Sequence, residues 1–372
     1  MKPIMFWSKN SIIEKVSKIS NTLDDISADI FCGINTDSEY LHKLSLSEND
    51  SPETPYKCMG LNREINLERE LVYPFIDSAF SNEYAVHPSP YCFMLPYEIK
   101  ADGLRKGCRL LEPEELKARY PLTYARITEF KNNFKHNSTS LSSADYSVGD
   151  CKLLQYINTP KIVVSDHYSL QASFDAAGNN LFEKGCGIVL QDPSRYFYVL
   201  AALNSSISRV FSEICQNDRL YNGSLNPGVL RRFPIVFPEE KNLESLISTL
   251  SSYLTYIHGQ IYRTASPNIS GSEDYELLKF YERIVNLLVL DTYFTKDLDP
   301  RFLEILEENI VHFGEYPEGG KSGFSGFEDS RCFMNELQAV KQKILDTPDF
   351  GKCRFNSEFT NILATLKNNG VW

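Results

Sequence analysis

The chain lacks most of the patterns that mark catalytic and membrane proteins. No apolar run approaches the roughly 18 residues of a membrane span, and the first residues do not resemble a secretory signal, so a soluble cytoplasmic protein is expected. No Walker loop is present to cradle nucleotide phosphates, and no Gly-x-Ser-x-Gly elbow to present a nucleophilic serine. The six histidines, at positions 42, 87, 136, 167, 258 and 312, include no His-Glu-x-x-His and no paired spacing, which leaves metal catalysis without sequence support. The nine cysteines are odd in number and include no Cys-x-x-Cys, so neither a disulfide framework nor a zinc ribbon is expected. Positive charge is also short: the formal net charge is −11, which argues against a protein that coats nucleic acid without discrimination.

What is present is 372 residues, enough for two domains or one large one. Aromatic residues make up 12%, mostly Tyr and Phe, a supply that suits large cores and docking surfaces alike. The charge is uneven. Residues Lys100 to Lys135 hold nine basic and five acidic side chains, whereas Gly271 to Trp372 hold eleven basic and eighteen acidic. A basic middle in an acidic chain fits contact with DNA on one face, and it fits an ordinary solvated surface equally well.

Ile12, Val16, Ile19, Leu23 and Ile26 alternate at spacings of four and three, predicting one amphipathic helix. Ile30 to Thr36 reads as a short strand entering a turn, residues 44–55 as an exposed loop, and Tyr91 to Tyr97 as a buried strand. Glu114 to Phe130 suggests helices broken by Pro121, and the Ser-rich Asn137 to Asp150 a mobile loop. Asp192-Pro193 is a helix start, with Tyr196, Leu200, Leu203, Ile207, Val210 and Ile214 as the buried face. Beyond residue 239 the pattern turns helical: Leu243 to Ile257 and Leu277 to Leu288 form two amphipathic helices, Gly319 to Gly326 a loop, and two short helices close the chain. The expected fold class is α+β, with a domain change near residue 239: a mixed α/β domain over residues 1–238 followed by a helical domain over 239–372.

Chemistry of other kinds has only thin support. Glu98-Ile99-Lys100 with upstream Asp77 has tolerable spacing for a metal-dependent nuclease, and Glu239-Glu240-Lys241 repeats the pattern where acids favour a helix start. Triplets of this sort arise by chance in chains of this length.

A set of short motifs nevertheless stands in a consistent order. Gly33-Ile34-Asn35-Thr36 comes first, then Glu70 to Ile76, Tyr120-Pro121-Leu122-Thr123-Tyr124, Pro160-Lys161-Ile162-Val163-Val164, Leu203-Asn204-Ser205 and Phe233-Pro234-Ile235, with Phe280 to Val285 and Thr292-Tyr293-Phe294 beyond. Together they resemble the TaqI-like specificity domain, the target-recognition region of adenine-specific DNA methyltransferases and type IIG restriction–modification enzymes. One departure is Asp37, where that family usually has glycine after its Gly-x-x-Thr; it bears on close approach of a phosphate at that turn. The catalytic half of such enzymes is missing: there is no glycine-rich loop for S-adenosylmethionine and no Asn/Asp-Pro-Pro-Tyr turn to hold a flipped adenine, His87-Pro88-Ser89-Pro90-Tyr91 reading as a turn before a strand.

The resemblance implies a non-catalytic recognition protein of a restriction–modification or phage-defence system. It would read double-stranded DNA beside a separate adenine-N6 methyltransferase or restriction subunit, with S-adenosylmethionine and magnesium on that partner only. The candidates for contacts to phosphates or base edges are Asn35, Thr36, Lys100, Arg105, Lys106, Arg109, Lys161, Arg195, Arg219, Asn222, Arg231 and Arg232. Tyr221-Asn222-Gly223-Ser224 is a turn that serves as a reading loop or a connector. Two rival readings remain: an assembly or regulatory subunit, or DNA-channel decoy, that reads no DNA; and a cryptic nuclease built on Asp77, Glu98 and Lys100.

Overall fold

The computed structural model describes residues 9–36, 39–45, 56–58, 63–76, 83–87, 89–100, 107–135, 141–149, 152–165, 170–216, 225–263, 272–294, 298–311, 330–353 and 357–368. The fold is α+β with a helical C-terminal region. In chain order its elements begin with α1 (Lys9–Ser17), α2 (Leu23–Ile26), β1 (Ser27–Cys32), α3 (Glu39–His42), β2 (Lys43–Ser45), β3 (Tyr56–Cys58) and β4 (Arg63–Ile65). There follow β5 (Val72–Ile76), β6 (Tyr84–Ala85), β7 (Tyr91–Met94), β8 (Tyr97–Lys100), β9 (Gly107–Leu110), α4 (Pro113–Arg119) and α5 (Pro121–Phe130). The central part supplies β10 (Lys161–Val164), β11 (Ala172–Asp175), β12 (Leu181–Phe182), β13 (Cys186–Leu190), α6 (Tyr196–Leu203), α7 (Ser206–Gln216) and α8 (Pro227–Leu230). The helical part comprises α9 (Lys241–Arg263), α10 (Glu273–Phe294), α11 (Pro300–Asn309), α12 (Ser330–Asp346) and α13 (Ser357–Asn368).

Two sheets carry the architecture. The first runs β1-β13-β10-β11-β6, antiparallel except for the parallel β11–β6 pair; the second runs β12-β5-β7-β2-β3-β4. Strands β10 and β13 are buried along their whole length, as expected of strands covered on both faces. Their side chains alternate between two cores, because successive residues of a strand point to opposite faces. Ile162, Val164, Cys186 and Ile188 join the helices in the largest core, while Val163 and Val189 meet Phe31, Tyr156 and Phe182 on the opposite side. Strand β7 repeats the alternation one layer on. Phe93 faces that middle core, and Cys92 and Met94 enter a third core with Leu116 of α4 and Ile127 and Phe130 of α5. The result is helices, sheet, sheet and helices in succession, with three apolar seams between them.

The change of character near residue 239 is a change of secondary structure within continuous packing. Leu246, Leu250, Leu254 and Ile257 of α9 and Leu277, Tyr281 and Leu288 of α10 share the largest core with β10, β13 and α6.

Several local expectations are corrected. The Ile12–Ile26 stripe is not one helix: α1 ends at Ser17, and Leu23 N and Asp24 N donate to Phe233 O and Arg231 O instead of continuing a helix. The expected 193–214 helix is two, α6 and α7, broken where Asn204 turns its amide onto β11. Of the loop expected over 44–55, Leu44 and Ser45 are strand β2, and the rest lies outside the described residues. Of the loop expected over 137–150, the described part packs Tyr146 and Val148 into the cores. The Gly319–Gly326 stretch lies outside the described residues, and α11 was not anticipated.

Candidate functional site

The cations picked from the sequence separate sharply once placed. Lys161 opens β10 directly across from Asp175 of β11, and its side chain has no exposed surface. Its Nζ lies 2.9 Å from Asp175 Oδ2 and donates to Gly178 O. Asp175 in turn accepts from Gly178 N at 3.0 Å and from Asn180 N and Nδ2 at 3.1 and 2.8 Å. The pair therefore fixes the β11–β12 turn, and Lys161 is corrected from a DNA contact to a buried structural cation. Gly178 has φ +69, and a Cβ there would meet Thr159 backbone at 2.2 Å, so the turn admits only glycine.

Arg231 is also turned inward. Its guanidinium donates to the Asp24 carboxylate, to Ile30 O at 2.9 Å and to Asp29 Oδ1 at 3.3 Å. Asp29 also accepts from Lys152 Nζ at 2.8 Å and Tyr156 OH at 2.9 Å. Burial alone would raise the Asp29 carboxyl, but these donors and the Lys152 charge outweigh it and hold it below the usual carboxylate range. Arg195 sits over the Phe237 ring, its Cζ 4.1 Å from the ring centre, with Nε 3.4 Å from Glu244 Oε1. Arg109 joins an exposed four-charge cluster: it donates to Glu98 at 2.8 Å and to Glu115 at 2.8 and 2.9 Å, while Arg119 reaches Glu115 at 2.9 Å and Glu98 at 3.3 Å. Hydrogen bonds from Arg109, ahead of those from Arg119, pull the Glu115 carboxyl down to about 2.

Lys100, Asn35 and Arg232 are exposed and Thr36 is half-buried, while Arg105, Lys106, Arg219 and Asn222, with the whole Tyr221–Ser224 turn, lie outside the described residues. The nuclease triplet fares no better. The Glu98 carboxylate is held by two arginines rather than left open to a metal ion, and Asp77 lies outside the described residues.

The motifs that carry the family resemblance hold the scaffold together. Gly33 makes a close approach, but to protein: a Cβ there would stand 2.5 Å from Phe182 O, and Ile34 N donates to that same oxygen at 2.8 Å. The turn's backbone is thus committed to the neighbouring strand, in keeping with the departure from the family pattern at Asp37. Asn204 pairs its amide with both backbone groups of Ala172, at 2.9 and 2.8 Å, joining α6 to β11. The Phe233–Ile235 element is fully buried and gripped from three sides: by Leu23 N on Phe233 O, by Tyr293 OH on Pro234 O at 2.8 Å, and by Asn21 O on Ile235 N at 2.9 Å.

One constellation had no signal in the sequence. Glu83, just before β6, His258 of α9 and Glu282 of α10 bring three ligand-type atoms within 4.8 Å of one another. His258 Nε2 is 3.4 Å from Glu282 Oε1, and Lys279 Nζ takes Glu282 Oε2 at 2.6 Å. Tyr84, in a left-handed backbone conformation at φ 64, stacks its ring on His258 at 5.4 Å. Burial pushes the Glu83 carboxyl up, whereas His258 and Lys279 outweigh burial at Glu282 and hold it down. Nearby His87 is pushed down to about 4, by burial first and His258 second. The three residues come from distant segments and only the fold assembles them.

No family model matches the chain, and no curated protein matches it. Among solved structures, the Type IIL restriction-modification enzyme MmeI in complex with DNA is similar to it, at 11% identity and a TM-score of 0.41, over 88% of this chain and 36% of that one. The chain thus spans well under half of that enzyme's length, and a likeness of that size does not by itself define function. Among the described residues, no helix is long and apolar enough to cross a membrane.

Proposed function

We propose that this chain is the target-recognition protein of a restriction–modification or related phage-defence system. In this reading it binds double-stranded DNA, carries no catalysis of its own, and works beside a separate adenine-N6 methyltransferase or restriction subunit that brings S-adenosylmethionine and magnesium. The observation that carries the reading is where the ordered motifs fall. Gly33, β10, Asn204 and Phe233 sit at successive joints of one scaffold, as expected if the motif order encodes a recognition fold rather than individual base contacts. Readout then falls to residues off the joints: Asn35, Lys100 and Arg232, with Arg105, Lys106, Arg219 and Asn222. The test is duplex binding by the full chain, alone and with the methyltransferase, across salt concentrations. A recognition protein gives sequence-dependent binding whose logarithm falls with log salt by about 0.9 per phosphate neutralised. Absence of sequence preference at every salt concentration, with the partner present, overturns it.

A second reading is favoured by one specific observation: Arg109, Lys161, Arg195 and Arg231 are all paired with carboxylates of the chain itself. An acidic assembly or regulatory subunit, or a decoy filling the partner's DNA channel, needs no outward cations. Co-purification with the methyltransferase together with inhibition of methylation selects this reading; redirected methylation selects the first.

A further inference from the structure

We infer that Glu83, His258 and Glu282 together bind one divalent transition-metal ion of the manganese or zinc kind, tying the edge strand β6 to the α9–α10 helix pair. Two carboxylates and an imidazole form a donor set suited to such ions. The spacing argues for an ion in preference to a direct contact. At 3.4 Å, His258 Nε2 and Glu282 Oε1 are longer than a good N–H···O bond. Two ligands each ~2.1 Å from a tetrahedral ion, however, stand ~3.4 Å apart. The third donor, from Glu83, lies within 4.8 Å of both.

The surroundings orient these donors. Lys279 occupies Glu282 Oε2, so Oε1 is the oxygen turned toward His258. The Tyr84 ring, stacked on the imidazole, fixes its plane, and the left-handed backbone of Tyr84 is the kind of local cost that persists where surrounding structure demands it. Strand β6 is two residues long and held in the sheet by its pairing with β11, so it gains most from a tie to the helices. Lys279 and Arg209 both place positive charge near the cluster and oppose metal binding, and removing Lys279 supplies a control.

Manganese is the probe of choice, because exposed Cys32 and Cys332 would compete for zinc but bind manganese weakly. The full chain, stripped with chelator, is titrated with Mn²⁺ by calorimetry and followed by electron paramagnetic resonance. The expected result is saturation at one ion per chain. Glu83→Gln, Glu282→Gln and His258→Gln should each weaken binding by at least about tenfold, the scale on which even outer partners of metal sites act. Circular dichroism without metal separates loss of ligand from loss of fold, and Lys279→Met, which leaves all three ligands in place, should bind more tightly than the parent. No saturable ion, or an affinity unchanged across the three ligand variants, overturns the inference and leaves the cluster as a hydrogen-bonded ion network.

Discussion

The two sheets use charge in opposite ways. In the five-stranded sheet the Lys161–Asp175 pair is sealed between strands and encircled by hydrogen-bond partners. Beside the six-stranded sheet, the β8–β9 hairpin and α4 share an open cluster of two arginines and two glutamates, each near half exposed or less. The pairs have similar lengths, so distance does not distinguish them. Dielectric does: a charge left alone in the first setting has no water to turn to, and in the second it has plenty. Chemistry that looks equivalent in a sequence is therefore structural in one region and available for exchange with a partner in the other.

The contrast breaks most readily at Lys161. Lys161→Met strands the Asp175 carboxylate in the core and should cost about 3–5 kcal/mol, measured by urea unfolding; a loss no larger than that of a surface substitution would remove the distinction between the sheets. Next in size is Asn204→Ala, which leaves the amide and carbonyl of Ala172 unpaired inside the fold and should cost about 2 kcal/mol, read from the same unfolding curves. Smaller still is Arg109→Ala, whose effect should disappear in about 1 M salt, where screening acts within roughly 3 Å. The pH dependence has a definite sign. Glu115 is held from 4.5 down to about 2, so its contribution is complete above pH 4.5 and lost as pH falls toward 2. The gap between parent and Arg109→Ala should close over that window, and a gap that widens there would assign the stabilisation elsewhere. The smallest effect expected is on Lys100→Ala, which should leave stability alone and lower the slope of log affinity against log salt by about one if that residue meets a phosphate.

Much of the scaffold was legible in the sequence because it rests on local pattern. The β-branched run Ile162-Val163-Val164 reads as a strand from its own composition, and the Asp192-Pro193 start is seen as Asp192 Oδ1 accepting from Ser194 N at the head of a 3-10 turn leading into α6. Pro121 marks the break between α4 and α5 for the same local reason. The roles of charged residues were not legible, because they depend on partners brought from elsewhere. Nothing near Lys161 announces Asp175 across the strand, nothing near Arg231 announces Asp24 and Asp29, and Glu83 gives no sign of His258 and Glu282. The Ile12–Ile26 stripe failed in the opposite sense. Its periodicity is real, but the backbone donors of Leu23 and Asp24 find acceptors in the 231–233 segment and the helix ends early.

The pairing of β1 with β13 also sets a timetable. Ser27 to Cys32 finds its register on Cys186 to Leu190, and the residues just before it close onto Phe233 and Ile235. At roughly 5–20 residues per second on the ribosome, the first strand therefore waits on the order of ten to thirty seconds before its partner emerges. Throughout that interval the apolar Ile30 and Phe31, buried in the finished fold, lack the partner strand that covers them, and an apolar segment left waiting in this way is the kind of site at which a chain aggregates before it folds.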